Sequence, residues 1–143
     1  MNNHICPLAA HIRKMNPRDP ALGFAINARI IRNGIPYGSE FSDDPTGKRG
    51  LLFACYQSSI DNGFRFLQKA WANKDDFPAK GAGFDAFIAQ RPNKGKLTCA
   101  FEDKDNKIIT PGLGEFSRLV TMKGGEYFFV PSISALTSTL GSY

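Results

Sequence analysis

Gly50 to Asn73 reads GLLFACYQSSIDNGFRFLQKAWAN, and the fold is worked out from this stretch. Leu51-Leu52-Phe53-Ala54-Cys55-Tyr56 is a short apolar run, bounded by Gly50 in front and Gln57-Ser58-Ser59 behind. A run of this length between breakers predicts a strand buried on both faces. Beyond it, Ile60, Phe64, Leu67 and Trp71 recur at spacings of four, three and four, one face of a helix. Ser58 or Ser59 is placed to N-cap that helix, and Asp61 falls in its first turn, where a carboxylate suits the helix dipole. The helix is expected to end near Asn73.

Upstream, residues 1–50 are punctuated by Pro7, Pro17, Pro20, Pro36 and Pro45 and by Gly23, Gly34, Gly38 and Gly47. Proline removes a backbone donor and glycine admits positive φ, so this part reads as ordered loop with short helical turns. Loops of that length inside a domain usually line a site. Downstream, residues 73–115 are mixed and broken by glycine and proline, with Phe84, Phe87 and Ile88 as a local apolar patch. Phe116 to Met122 and Glu126 to Val130 read as two extended segments about the turn Lys123-Gly124-Gly125. Pro131-Ser132 opens a last helix with Ile133, Leu136 and Leu140 on one face and Gly141 after it. The pattern is α+β with few strands, and so small a sheet needs more strands or a partner domain.

The chain has 143 residues, 42% hydrophobic and 12% aromatic, which fits one domain with a real core and excludes overall disorder. No apolar run reaches the roughly 20 residues of a membrane span, and Met1-Asn2-Asn3-His4 does not open like a signal peptide. Cys6, Cys55 and Cys99 make no disulfide framework and contain no Cys-x-x-Cys. The net charge of +5 is spread along the chain with Asp and Glu interleaved, which reads as a mixed solvated surface, not a nucleic-acid face.

Three groups of residues could carry chemistry. His11 lies inside Cys6 to Lys14, and neutral imidazole is a metal ligand and a general base. On pattern alone it reads as a satisfied or exposed histidine, and His4, Cys6 and His11 match no compact zinc spacing. Arg29 and Arg32 flank Ile30-Ile31. A guanidinium cannot shed its charge, so each must pair with a carboxylate or face a ligand. Cys55, within the expected strand, reads as an inert thiol.

Four strings appear in order: CPLAAHIRKMNPR (Cys6 to Arg18), RIIRNGIPYG (Arg29 to Gly38), GLLFACYQSS (Gly50 to Ser59) and GGEYFFVPSISAL (Gly124 to Leu136). Together they resemble the C-terminal half of a dye-decolorising (DyP-type) haem peroxidase, from Cys6 to Leu140, with residues 73–115 matching only loosely. The resemblance implies a ferredoxin-like α+β domain over 1–143, part of a two-domain dimeric α+β barrel-type fold. It implies one haem b per chain, with His11 as the axial ligand of iron and Arg32 as the distal arginine. Arg29, Leu51 and Phe53 would also contact haem, the last two limiting access to its distal face. A carboxylate should accept the other N–H of His11. Glu115 and Glu126 are the candidates for it, and Asp85 a weaker one.

The implied reaction is oxidation of dyes or phenolic compounds by hydrogen peroxide. The family's Gly-x-x-Asp-Gly motif, whose Asp shuttles a proton between the peroxide oxygens, has no counterpart in this sequence. The expectation is therefore an incomplete domain, a fragment or truncated product with weak peroxidase activity by itself. The alternative is a non-enzymatic or degenerate haem-binding module completed by a separate N-terminal half. Homo-oligomers are possible through uncovered sheet edges.

Overall fold

Trp71 organises the packing. In a computed structural model, residues 6–17, 20–90, 101–102, 108–109 and 119–141 are described. Trp71 is only 2% exposed and closes a core with Ala25, Ala28 and Leu67. It stacks on Phe77 (centroids 4.7 Å apart, planes 9° from parallel) and meets Phe66 edge-on at 5.5 Å. Met15, Ile30, Phe66, Ala70 and Phe77 pack around this core.

Trp71 lies on the expected helix. That helix, α2, begins as Phe64–Phe66 and continues in wider π-type turns as Leu67–Ala72. It ends at Ala72 with Asn73 as its C-cap, in keeping with the expected end near Asn73, but starts later. Neither Ser58 nor Ser59 caps it. Gly63 occupies the N-cap, and the Gln57 side chain accepts from the Phe64 amide at 2.6 Å. Ser59 instead accepts from Asn62 within the preceding turn. Ile60 therefore falls outside the helix and is exposed. Asp61 forms an ion pair one turn on, with Arg65.

A short helix, α1 (His11–Met15), lies against α2. Five residues are too few for a helix to persist unaided, so tertiary contacts must hold it. Those contacts are the Met15 side chain in the Trp71 core and the buried Lys14. A 3-10 segment, Pro20–Ala28, kinks at Leu22 and supplies Ala25 and Ala28 to the core.

The main departure from expectation is in residues 1–50. Ile31–Tyr37 is a strand, β1, paired antiparallel with β2 (Gly50–Tyr56). Gly34 and Pro36 had marked this block as loop. Proline is tolerated on an edge strand, and in a two-stranded sheet both strands are edges. Beyond β1 the chain turns at Gly38, whose φ is +96°; a Cβ there would overlap the Lys48 carbonyl. β2 forms where expected, but it is not buried on both faces: Leu52 is 62% and Phe53 40% exposed. Its apolar run needs cover that the described residues do not provide. Cys55 is only half-buried, and burial pushes its thiol pKa up, in keeping with an inert thiol.

Phe101–Glu102 (β3) and Ile108–Ile109 (β4) form a second small antiparallel pair. The two segments expected to be extended about Lys123-Gly124-Gly125 join no ladder over residues 119–130 among the described residues; residues 116–118 lie outside the described residues. The last helix, α3, forms as read: Ile133–Ala135, continuing as Leu136–Leu140. Ser132 is its N-cap and accepts from the Ala135 amide at 3.2 Å. No helix among the described residues is long and apolar enough to cross a membrane.

Candidate functional site

Two groups of predicted residues come together. The first is on the hairpin. Side chains alternate across a strand, and cross-strand partners share a face. Arg32 pairs with Cys55, Gly34 with Phe53 and Pro36 with Leu51, so Arg32, Leu51 and Phe53 line one face. Leu51 lies over Gly34, where any Cβ would crowd its methyl groups. Glycine thus leaves room for the Leu51 side chain on the face that carries Arg32. Phe53 reaches Phe64 at the start of α2, centroids 5.6 Å apart. Arg29 precedes β1 and is exposed.

The second group is on α1. His11 Nδ1 lies 2.9 Å from Asp85 Oδ2. Asp85 is fully buried, and its other oxygen accepts from the amides of Phe87 and Ile88, each at 2.9 Å. Burial pushes the carboxyl pKa up, but the His11 hydrogen bond and those two amides outweigh it and leave it below the usual carboxylate value. An ionised carboxylate only accepts, so His11 Nδ1 carries a proton, and in the neutral ring Nε2 then holds the lone pair. The His11 side chain is 37% exposed, with its ring edge against Phe87 at 6.4 Å. The pair is a half-open imidazole with one nitrogen fixed and the other available.

Asp85 is thus the partner of His11. Glu126 is exposed and does not fill that place. Glu115, His4 and Cys99 lie outside the described residues. Asp85 was hard to select because it is 74 positions from His11. The available signal was local: Asp85 follows a glycine-rich turn and precedes Phe87 and Ile88, and short carboxylates commonly cap amides two or three positions on.

Lys14 was missed entirely. It is completely buried, three residues after His11. Its ammonium donates to the carbonyls of Lys74 (2.6 Å), Phe77 (2.5 Å) and Gly83 (2.6 Å). Burial draws its pKa down to about 8, against the pull of Asp85, Asp75 and Asp76, so it stays charged at neutral pH. Gly83, with φ of +90°, belongs to the turn that delivers Asp85. Backbone bonds finish the placement: the Asp85 amide to Ala72 (3.0 Å) and the Ala86 amide to Ala9 (3.3 Å).

An imidazole whose tautomer is set by a buried carboxylate is a preorganised metal ligand. Taken with the hairpin face that carries Arg32, Leu51 and Phe53, it is the donor set of one class, proteins that hold a metal-centred cofactor by a single histidine. The comparisons give that class its family. The family "Dyp-type peroxidase, C-terminal" matches residues 1–90, and the chain belongs to it. Dye-decolorizing peroxidase msp1 of Mycetinis scorodonius is 40% identical over 97% of this chain and 30% of its own length. A dye-decolorizing peroxidase in complex with 2,6-dimethoxyphenol superimposes with a TM-score of 0.75, at 42% identity, over 96% of this chain and 32% of its own. Another, with its heme pocket engineered for asymmetric sulfoxidation, gives a TM-score of 0.69 at 35% identity, over 96% of this chain and 34% of its own. The α+β, ferredoxin-like class read from the sequence stands with these matches. The chain spans about a third of the length of these relatives.

Proposed function

We propose that this chain supplies the haem-holding part of a peroxidase that oxidises dyes or phenolic compounds with hydrogen peroxide. The observation that carries the reading is the His11–Asp85 pair. The donor set fits haem: one available imidazole nitrogen, a permanent cation and apolar cover. Haem, when bound, supplies the redox chemistry in which peroxide is reduced to water and the electrons are recovered from the reducing substrate. His11 Nε2 would hold its iron, and Asp85 would hold the Nδ1 proton in place and make the imidazole a stronger donor. Arg32 would stabilise negative charge developing on the peroxide oxygens. Leu51 and Phe53, on the same face, would exclude water and restrict access, and Arg29 would add a further contact to the cofactor.

The sequence has no Gly-x-x-Asp-Gly motif. The proton transfer that motif performs would then depend on a residue outside this chain. Positioned acid–base groups contribute about 10²–10⁴-fold, so the chain alone should be a weak peroxidase. The second reading is a haem-binding module without catalysis of its own, completed by a separate N-terminal half.

The test is peroxide consumption and dye oxidation by haem-loaded protein. Arg32→Leu is expected to slow the reaction with peroxide by about 10²–10³-fold, the usual loss for one charge-stabilising donor. An unchanged rate would contradict the role of Arg32. A wild-type protein that binds haem yet oxidises no dye would favour the non-catalytic reading.

A further inference from the structure

We propose that Lys14 is a positioning residue for the His11–Asp85 pair, tying the 74–83 loop to α1 so that the carboxylate meets the histidine at a fixed place. The lysine is fully buried, where lysine is almost never found unless its charge is satisfied. Each of its three protons is taken by a different backbone carbonyl, all from the segment between α2 and Asp85. No side-chain carboxylate is needed for this, and among the described residues no buried side-chain polar atom lacks a partner.

Lys14 alone grips both ends of the loop, and His11 meets the carboxylate just beyond its far end. His11 and Lys14 are three residues apart and so share a helix face. His11 reaches Asp85, and Lys14 reaches the carbonyl of Gly83, two residues before it. The Gly83 amide in turn donates to Asp75 at 2.8 Å, closing the loop on itself. Without the ammonium, three carbonyls would be left buried and facing one another. Unsatisfied buried acceptors cost enough that the loop would open toward water. Asp85 would then keep the Ala72 bond, its own capped amides and, through Ala86, the single bond to Ala9 just before α1, but would lose the loop contacts that fix its carboxylate against His11.

The inference rests on the assignment of His11 and Asp85 as a functional pair, but its test does not require haem to bind. In the full chain without haem, with His4→Gln leaving a single histidine, nitrogen NMR of the ring reports which nitrogen carries the proton. Wild type is expected to carry it on Nδ1. Asp85→Asn gives the reference loss of that state. Lys14→Met, similar in length and uncharged, is expected to produce at least about half of that loss, and no further change when added to Asp85→Asn. Lys14→Gln, which keeps two donors, should lie between wild type and Lys14→Met. A folded Lys14→Met protein that melts earlier but keeps the Nδ1 proton as in wild type overturns the proposal, since the lysine would then only support the fold. Failure of both Lys14→Met and Lys14→Gln to fold overturns it equally. Failure of hemin to bind through His11 would refute the cofactor reading and leave this result standing.

Discussion

Asp85→Asn is expected to weaken haem binding, or activity with haem loaded, by about 10–100-fold, the usual cost of losing a ligand's orienting partner. The reason is one proton. Asp85 Oδ1 accepts from two backbone amides, which fixes the end of the side chain that must remain an acceptor. Asparagine would therefore keep its oxygen at that end and point its NH₂ at His11 Nδ1. A donor there forces Nδ1 to accept, and the ring proton moves to Nε2. That nitrogen would then have no lone pair for a metal. The change is nearly isosteric, so folding should survive it. Hemin titration followed by absorbance checks the prediction. Affinity within a factor of about two of wild type would mean that Asp85 does not set the tautomer.

Trp71→Ala is expected to cost about 3–5 kcal/mol of stability, as large-to-small changes of buried tryptophan do. Natural domains have only about 5–15 kcal/mol in all. The indole is 2% exposed and touches Phe77, Phe66 and, edge-on at 6.4 Å, Phe24. Few described residues are as buried. The loss should also spread to the site, because the Phe77 carbonyl is one of the three that hold Lys14. Denaturant unfolding measures it directly. A loss below about 1 kcal/mol would show that the aromatic cluster is not the centre of the packing.

These two residues were read very differently in the sequence. Trp71 was legible because helix periodicity is a local property, and Leu67 and Trp71 fall on the same buried face. The start of that helix was not, because a glutamine side chain set it in place of either serine. The start of the last helix at Pro131-Ser132 was legible because a proline precedes it and an apolar face follows. β1 was obscured by Gly34 and Pro36, which are breakers in a central strand but acceptable at an edge. β2 was legible as a strand, but its burial was not, because an apolar run records what a strand needs and not what covers it.

The site divides in the same way. His11 and Arg32 were found by resemblance, not periodicity, and β1–β2 register then places Arg32 with Leu51 and Phe53. Asp85 was one carboxylate among several, and only the turn that carries it brings it to His11. Lys14 had no signal at all. A lysine on a short helix is normally solvated, and the three carbonyls that receive it come from residues 60 or more positions away.

The proposed function stands or falls with His11 as the residue that holds iron. Hemin titration of wild type and His11→Ala, followed in the Soret band, tests it most directly. Wild type should bind with the spectrum of an imidazole-ligated haem. His11→Ala should lose that spectrum and bind more than about 100-fold more weakly, since removing a ligand costs more than removing the partner that orients it. The same Soret band and the same affinity in both proteins would contradict the account.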